Sequence, residues 1–392
     1  MSKVRLTEGV YWVGTIDWNI RNFHGYSTHR GTTYNAYLII DEKIALIDTV
    51  KAPFFPEMRR RIKEIIDPGD IDYVVSNHVE MDHSGSLPMM MTEARKAQLI
   101  TTEKFGEAGL KKHFHMDCRL IPVKESHELS LGKRKLTFIP IPMLHWPDSM
   151  ATYLPQDQIL FPSDAFGQHL ASSQRFDDEV DGAVLMQEAA KYYANILMPF
   201  GHLMSGALKK LAALTIRTIA PSHGVIWRSD PEKIVSAYTN WSAGETINKA
   251  LVIYDTMWGS TAQMARAIEE GLTAAGVEVK VFELTRSDRS DVMTEVLDAR
   301  AIIVGSPTLN NGMFPTVAEF LCYLKGLNPR GKIGAAFGSY GWGGGATKAI
   351  CQEMEQTGIE MVEPELAVKW IPEKSELAEC IELGQRIGGR IK

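Results

Sequence analysis

The sequence predicts an α/β protein of two domains, and three observations support this. A chain of 392 residues is longer than one hydrophobic core usually supports. The first 247 residues combine short strands, hairpins and helices, and several of the strands end in metal-binding residue types. From residue 248 onward, strand and helix patterns alternate five times, which predicts a doubly wound sheet of five parallel strands. We therefore expect domains over residues 1–247 and 248–392.

Composition and cysteine spacing exclude several classes of function. A formal net charge of −6 argues against general nucleic-acid binding. None of the cysteines forms a C-x-x-C pair, which excludes an iron–sulfur or rubredoxin-type site within this chain. The first residues lack the apolar run of a signal peptide, and no apolar stretch is long enough to span a membrane. We expect a cytoplasmic protein with no membrane segment. The four cysteines are Cys118, Cys322, Cys351 and Cys380.

Apolar patterning predicts the elements of the first domain. Two of its strands are joined by Asp41, Glu42 and Lys43, which is a hairpin signal. The predicted strands are residues 11–14, 36–40, 44–47, 71–75, 98–101, 136–141, 158–161 and 218–221. Apolar residues at helical spacing predict helices over residues 53–66, 88–96, 103–113, 184–196 and 203–213.

The second domain has a more regular pattern. Its predicted strands are residues 251–254, 277–282, 301–304 and 333–337, with a weaker fifth strand over residues 360–368. The intervening helices begin near Ser260, Arg289, Phe314, Gly345 and Ser375.

Four potential metal ligands follow the strand at residues 71–75, within six residues of one another. Ionisable groups clustered after a buried strand are typical of a metal site, although a lone histidine is more often structural. Three further donors lie at later strand ends, and such residues collect at one edge of the sheet in a layered α/β fold. Seven donors are too many for one four-coordinate zinc and suit two ions that share a carboxylate. The seven are His78, Glu80, Asp82, His83, His145, Asp164 and His223.

The segment at residues 252–261 predicts a phosphate-binding loop. A buried strand ends there, small and hydroxyl residues turn the chain, and a helix begins, so backbone N–H groups and hydroxyls can hold a phosphate monoester. The segment has neither a P-loop lysine nor a G-x-G-x-x-G pattern, which argues against a nucleoside triphosphate and a dinucleotide.

Two glycine-rich loops, residues 305–312 and 338–345, follow the third and fourth strands of this domain. They lie beside the phosphate loop at the carboxyl edge of the sheet, where Tyr340 and Trp342 can stack on a flat ring. One such loop alone is more often a simple turn, but the three together favour FMN. The candidate FMN-binding residues are Thr256, Met257, Trp258, Gly259, Ser260, Thr261, Ser306, Pro307, Thr308, Asn310, Asn311, Gly312, Ser339, Tyr340, Gly341, Trp342 and Gly343.

The H-x-E-x-D-H motif at residues 78–83, followed by the three later donors, resembles the metallo-β-lactamase fold. Zinc hydrolases of that fold usually carry histidine at the position of Glu80. The glutamate, together with the second domain, resembles the flavodiiron proteins of the A type, which have no fused rubredoxin. This resemblance spans essentially the whole chain. It implies an αββα sandwich followed by a flavodoxin-like domain, whose phosphate-loop pattern residues 252–261 match.

The resemblance also implies a role for each ligand. His78, Glu80 and His145 would hold one iron, Asp82, His83 and His223 the other, and Asp164 would bridge them. In some members of the family, water displaces the ligand at the place of His83. A carboxylate at position 80 agrees with this assignment, because it favours a harder ion such as iron over zinc.

The implied activity is the reduction of dioxygen to water, of nitric oxide to nitrous oxide, or of both, with FMN passing electrons to the diiron centre. The electron donor would be separate: rubredoxin in most of the family, and a reduced deazaflavin in some methanogens. A head-to-tail homodimer or a dimer of dimers would bring the FMN of one subunit to the irons of the other. His24, Trp146 and one of Tyr192 or Tyr193, with Tyr193 as our candidate, are proposed as pocket walls or proton donors, and packing roles fit them equally.

Two other functions remain open from the sequence. A zinc hydrolase would use a metal-bound hydroxide, but Glu80 and the flavin domain argue against it. An electron carrier or redox sensor would use the metals only structurally. Substitution of Glu80 or His145 by alanine separates this second alternative from a reductase, because we predict that the substitution abolishes consumption of both gases.

Overall fold

The computed structural model describes residues 4–115 and 119–391, so Cys118 lies outside the described ranges. The chain forms two compact units. One unit contains the residues up to Tyr192 together with His202–Thr239, and the other contains Tyr193–Gly201 and the residues from Asn240 onward.

The first unit is rich in short strands. In chain order they are β1 (Val4–Thr7), β2 (Val10–Trp12), β3 (Thr15–Asp17), β4 (Asn22–Phe23), β5 (Tyr26–Ser27), β6 (Thr32–Tyr34), β7 (Tyr37–Ile39), β8 (Ala45–Ile47), β9 (Tyr73–Val75), β10 (Gln98–Thr102), β11 (Leu120–Val123), β12 (Glu128–Ser130), β13 (Lys135–Pro140), β14 (Met150–Leu154), β15 (Ile159–Phe161) and β16 (Thr218–Ile219).

Most of these strands build two mixed sheets. The first has the order β1-β2-β7-β8-β9-β10-β11 and the second the order β12-β13-β14-β15-β16. In the first sheet β7 and β8 form the predicted antiparallel hairpin, whereas β8, β9, β10 and β11 run parallel. Because parallel neighbours end at the same edge, this register brings the ends of β8 and β9 together.

The two sheets pack face to face, as the predicted sandwich requires. The core between them combines Tyr37 and Val75 of the first sheet with Phe138 and Phe161 of the second. A second core lies on the other face of the first sheet, where Met58 and other helical residues pack. The sandwich leaves the loops at its edge free to carry functional side chains.

The helices up to residue 243 connect these strands. They are α1 (Phe55–Lys63), α2 (Met81–Ser84), α3 (Leu87–Glu93), α4 (Phe105–Phe114), α5 (Gly182–Tyr192), α6 (Gly201–Leu211) and α7 (Pro231–Ala243).

One predicted helix has a different course. Residues 184–196 do not form a single α-helix, because α5 ends at Tyr192 and Tyr193–Leu197 form a π-helix. Pro199 explains the change, since a proline ring in a continuing α-helix would clash with the carbonyl of residue 195.

The second unit contains the doubly wound sheet. Its strands are β17 (Ile247–Tyr254), β18 (Glu278–Glu283), β19 (Ala299–Gly305), β20 (Ile333–Tyr340), β21 (Glu360–Met361) and β22 (Leu366–Lys369). Its helices are α8 (Ser260–Ala274), α9 (Arg289–Val296), α10 (Pro315–Leu327), α11 (Ala346–Gln356) and α12 (Lys374–Ile391).

All strand pairs in this sheet are parallel, in the order β18-β17-β19-β20-β21, and β22 also pairs with β20. The predicted fifth strand is therefore two short strands rather than one. Pro364 lies between them, and a proline lacks the N–H group that a sheet strand needs. The switch point of this strand order lies between β17 and β19, where such folds bind ligands.

None of the helices in the described ranges combines the length and apolarity needed to cross a bilayer.

Candidate metal centre and cofactor pocket

The loop from β9 to α2 is held in place by hydrogen bonds before it reaches the first ligands. The N–H of Asn77 donates to Asp48 Oδ1 at 2.7 Å, and its side-chain oxygen accepts from Thr152 Oγ1 at 2.7 Å. Ser84 Oγ donates to the carbonyls of residues 79 and 80, which tightens the turn. This short segment presents four buried donors, His78, Glu80, Asp82 and His83.

Four of the seven predicted ligands form the first donor group. Glu80 Oε2 lies 3.2 Å from Nε2 of His78 and 3.1 Å from Nε2 of His145. Asp164 Oδ2 lies 3.7 Å and 3.6 Å from the same two nitrogens. The four donor atoms lie within 4.8 Å of one another.

The second donor group contains the remaining three predicted ligands. His83 Nε2 lies 3.3 Å from Asp82 Oδ1, and His223 Nε2 lies 3.1 Å from Asp82 Oδ2. The other oxygen of Asp164, Oδ1, lies 3.2 Å from the nitrogen of His83 and 3.4 Å from that of His223. Asp164 therefore directs one oxygen at each group.

These spacings suit two metal ions. Ligand atoms bound at about 2.1 Å, at roughly right angles to one another, are separated by about 3 Å. Both oxygens of Asp82, Nε2 of His83 and Oδ2 of Asp164 are buried and have no hydrogen-bond partner among the described residues. Buried charged groups without partners are costly, and bound cations would satisfy all of them.

The electrostatics of the cluster agree with cation binding. Burial alone would lower the pKa of His223, but the adjacent carboxylates of Asp164 and Asp82 raise it to about 10. Burial would raise the pKa of Asp164, yet the neighbouring imidazoles of His83 and His223 hold it well below its ordinary value. The carboxylates thus stay ionised beside the imidazoles, and metal ions can take the place of the imidazole protons.

Residues other than the seven predicted ligands contact three of those ligands. His78 Nδ1 lies 3.0 Å from Asp148 Oδ2, and His223 Nδ1 lies 2.7 Å from the carbonyl oxygen of Thr33. The hydroxyl of Tyr192 donates a hydrogen bond to Asp164 Oδ1 at 2.9 Å. Asp148 was identifiable in principle, because it follows His145 by three residues in the same loop. A backbone carbonyl such as that of Thr33 leaves no signal in a sequence.

The three candidates for pocket walls or proton donors occupy different places. His24 Nε2 contacts Glu80 Oε1 from the turn between β4 and β5, and its side chain is half exposed. The Trp146 ring meets the His78 ring edge to face, with centroids 5.1 Å apart. Our candidate Tyr193 belongs to the second unit and packs on Trp241, whereas Tyr192 contacts the predicted ligand Asp164.

The physical reason for this difference is helix geometry, because successive residues of an α-helix project about 100° apart. Tyr192, the last residue of α5, and Tyr193, the first of the π-helix, therefore leave the backbone on different faces. A sequence that shows only adjacent tyrosines does not reveal which of them points inward.

In the second unit, the predicted phosphate loop joins β17 to the N-terminus of α8. Gly259 has a φ of +87° immediately before the helix, a conformation that favours glycine. Its N–H donates to Thr256 Oγ1 at 3.1 Å, and the N–H of Thr256 donates to Asp255 Oδ1 at 2.7 Å. The first N–H groups of this long helix suit an anionic group.

A cavity of 610 Å³ opens beside this loop, and its size suits a cofactor. Three residues of its wall were not among the predicted ones. Leu309 lies within a predicted loop, whereas Trp370 and Ile371 follow the strand that the sequence signals only weakly. The lining residues are Met257, Trp258, Ser260, Pro307, Thr308, Leu309, Asn310, Ser339, Tyr340, Gly341, Trp342, Trp370 and Ile371.

The other predicted residues of the three loops do not line the cavity. Ser306, for example, accepts a hydrogen bond from the N–H of Phe314 at 2.8 Å and is fully buried. Thr261 bonds to Ser339 at 3.0 Å, which ties the phosphate loop to the end of β20. The remaining five are Thr256, Gly259, Asn311, Gly312 and Gly343.

Two wall residues are conspicuously exposed. Trp258 is 90% and Trp342 is 95% exposed, so neither ring is covered by this chain. Large exposed aromatic rings at the mouth of a cavity are typical of ligand or partner contact. The pocket therefore offers a helix N-terminus for an anionic group and flat apolar surfaces for a ring.

Comparison with known proteins gives matches for both units. Residues 32–224 match the family described as ODP family beta lactamase, and residues 252–384 match the flavodoxin family. A nitric oxide reductase of Moorella thermoacetica is 53% identical over 99% of this chain and 98% of its own length. A coenzyme F420H2 oxidase of Methanothermobacter marburgensis is 42% identical over 99% of this chain and 98% of its own length.

Two solved structures have the same fold over the whole chain. Rubredoxin oxygen:oxidoreductase from Desulfovibrio gigas has a TM-score of 0.97 and 39% identity, covering 100% of this chain and 98% of that one. The flavodiiron protein from Giardia intestinalis has a TM-score of 0.97 and 38% identity, covering 100% and 97%.

Proposed function

The chain belongs to the flavodiiron protein family and is an oxidoreductase of the kind that reduces nitric oxide or dioxygen, and we propose that it forms nitrous oxide, water, or both. One observation carries the proposal. Asp164 directs one carboxylate oxygen at each of two buried donor groups, in a chain that also contains a flavodoxin unit. A hydrolase has no use for the electrons that a flavin supplies.

We assign two irons to the donor groups. His78, Glu80 and His145 would hold one iron, Asp82, His83 and His223 the other, and Asp164 would bridge them. When bound, the irons activate the diatomic substrate and FMN provides the electrons. Oxygen and imidazole donors without a thiolate suit iron, and Glu80 adds the anionic charge that favours a hard ion.

The side chains around the donor groups position the ligands, transfer protons or donate hydrogen bonds. His24 Nε2 contacts Glu80 Oε1 while half of its side chain faces solvent, so it can pass a proton from water to the first donor group. Tyr192 keeps its proton, because burial raises its pKa well above the ordinary value, and donates it in a hydrogen bond to Asp164. Trp146 covers His78 and limits the entry of water on that side.

For the flavin, we propose FMN in the 610 Å³ cavity. The phosphate would lie on the loop at residues 255–259 and the first turn of α8, with Ser260 among its donors. The flat ring system would contact Tyr340, Trp342 and the unpredicted Trp370.

The electron donor is proposed to be a separate protein or cofactor. Relatives carry the names rubredoxin oxygen:oxidoreductase and coenzyme F420H2 oxidase, which support rubredoxin or a reduced deazaflavin. A head-to-tail homodimer, in which the FMN of one subunit serves the irons of the other, and a cytoplasmic location belong to the same proposal.

The deciding experiment is stopped-flow mixing of the fully reduced protein with each gas, after metal and flavin analysis. We expect about two irons and one FMN per chain, and fast reoxidation of the flavin by at least one gas. Slow reoxidation by both gases, in iron-loaded protein, would contradict the proposal.

The two alternative functions give different results in the same assay. A colourless, zinc-rich and hydrolytically active protein would indicate a metallo-β-lactamase-type hydrolase. Undiminished gas consumption by the Glu80→Ala variant would indicate that the metals are only structural.

A further inference from the structure

Two of the ligand histidines are supported by acceptors of different charge. Both rings are buried, and both direct Nε2 at the ligand carboxylates. Behind His78, Nδ1 faces Asp148 Oδ2 at 3.0 Å, whereas behind His223, Nδ1 faces the neutral carbonyl oxygen of Thr33 at 2.7 Å. The two donor groups therefore differ outside their ligands as well as within them.

Asp148 is held firmly enough to orient an imidazole. Its side chain is 2% exposed, and the same oxygen that meets His78 accepts the N–H of Val79 at 2.8 Å. Its backbone oxygen accepts a hydrogen bond from Thr102 Oγ1 at 3.0 Å. The carboxylate thus has one fixed position between the loop that carries His78 and the end of β10.

The position of Asp148 determines which nitrogen of His78 is available. An ionised carboxylate only accepts hydrogen bonds, so Nδ1 of a neutral His78 carries the proton and Nε2 keeps its lone pair for a metal. A carboxylate behind a ligand imidazole also makes that imidazole a stronger donor than a carbonyl does.

From this geometry we infer that Asp148 is a positioning residue that fixes the tautomer of His78 and strengthens metal binding in the donor group of His78, Glu80 and His145. The carbonyl behind His223 gives the second group no such support, so the two metal sites differ in affinity. The inference rests on the proposed two-metal site but not on the choice of gas.

The test is metal binding to the full-length flavin-loaded protein, with Fe²⁺ titrated anaerobically against a competing chelator. Asp148→Asn keeps the size and the accepting oxygen but removes the charge. We expect one of the two sites to bind Fe²⁺ about 10–100-fold more weakly, while the other site and the flavin content are unchanged. Asp148→Glu, which keeps the charge but moves it, should give an intermediate loss.

Asp72→Asn is the matched control. Asp72 Oδ2 also accepts a backbone N–H, that of Ile44 at 2.9 Å, but its side chain bonds to no imidazole. This variant should bind both ions like the wild type. Equal affinities of wild type and Asp148→Asn for both ions would overturn the inference.

A second measurement reads the His78 ring of the wild type directly and does not depend on whether an Asp148 variant folds. In protein with ¹⁵N-labelled histidine, loaded with diamagnetic Zn²⁺, the His78 ring should carry its proton on Nδ1, with the signal assigned by its loss in His78→Gln. A proton on Nε2 would also overturn the inference. If the Asp148 results hold but the reduced protein reacts with neither gas, only the proposed function fails.

Discussion

At the scale of single residues, the carboxylate of Asp164 accepts a hydrogen bond from a neutral side chain, that of Tyr192. The hydroxyl reaches Asp164 Oδ1 at 2.9 Å, the oxygen that also faces His83 and His223. A phenol that keeps its proton can hold this carboxylate in place without competing as a ligand. The hydrogen bond therefore fixes how Asp164 divides its two oxygens between the donor groups.

We predict that Tyr192→Phe lowers metal affinity about tenfold, the lower end of the range for groups that hydrogen-bond to ligands. The turnover of the preferred gas should fall with it, because Asp164 loses its fixed orientation. Tyr193→Phe is the adjacent control and should stay within about twofold of the wild type, since the Tyr193 ring packs on Trp241. Metal titration and steady-state gas consumption measure both effects. A larger loss in Tyr193→Phe would show that the wrong tyrosine has been assigned.

Four of the seven proposed ligands were predictable from the sequence because their chemistry is unusual and their spacing is local. His78, Glu80, Asp82 and His83 fall within six residues, and a surface rarely needs such a cluster directly after a buried strand. The orienting groups were not predictable in the same way. The carbonyl of Thr33 belongs to a residue of no special chemistry, and the choice between Tyr192 and Tyr193 depends on how the helix is rotated about its axis, which adjacent tyrosines do not reveal.

At the scale of elements, β17 of the second unit begins with a buried ion-pair network. Lys249 is 4% exposed and pairs with Glu295 of α9 and with Asp298, the latter at 2.7 Å. Lys280 of β18 shares Glu295 at 2.7 Å. The network ties the start of β17 to the helix that follows β18, so it helps to set the edge of the sheet.

We predict that Lys249→Met lowers the free energy of unfolding of the second unit by about 1–2 kcal/mol at pH 7. Removing one partner of a buried pair costs about 3–5 kcal/mol, but Glu295 is only partly buried and keeps Lys280. Lys280→Met is the control: it removes a half-exposed partner, so its effect should stay within about 1 kcal/mol. Urea unfolding followed by flavin fluorescence measures the difference.

The pH dependence of this difference follows from the direction of the two pKa shifts. Burial lowers the pKa of Lys249, but hydrogen bonds with Asp298 and Glu295 outweigh it and raise the pKa above 10.5. The stabilisation by charged Lys249 is present in full below the ordinary lysine pKa. It disappears as the pH rises through the pKa that Lys249 has in the folded protein. Burial raises the pKa of Glu295, and the two lysines outweigh it and lower the pKa, so that contribution is lost only as the pH falls below about 4. The loss of free energy of unfolding in Lys249→Met relative to the wild type should therefore be constant between pH 6 and pH 9. A loss that varies over this range would contradict this account.

Most elements were predictable, because apolar periodicity and turn residues act locally. The starts of α8 and α9 at Ser260 and Arg289 agree with the sequence pattern. Two predicted elements that take a different form in the structure share a cause, since a proline interrupts each pattern. Pro199 stops α5 from continuing as an α-helix, and Pro364 divides the fifth strand into β21 and β22. Trp370 and Ile371 were not predicted as cavity residues because they follow the strand that Pro364 interrupts.

At the scale of the whole molecule, the two cofactor sites belong to different units with separate cores. Every proposed metal ligand lies between His78 and His223 in the first unit, and every cavity residue lies between Met257 and Ile371 in the second. A ligand that binds only the folded form stabilises the unit that holds it. The metals and the flavin should therefore stabilise different parts of the chain.

We predict that chelation of the metals lowers the midpoint temperature of one thermal unfolding transition. Removal of the flavin should lower the midpoint temperature of another. Without metal ions, Asp82 and Asp164 keep buried oxygens that have no hydrogen-bond partner among the described residues, so the first unit loses most. A ligand present at 100 times its dissociation constant contributes about 2.7 kcal/mol, which corresponds to several degrees in a domain of this size. Calorimetry of the holoprotein, the metal-free form and the flavin-free form separates the two effects. His83→Ala should reproduce part of the effect of metal removal. A single transition that moves equally with either cofactor would instead require the two units to unfold as one cooperative body.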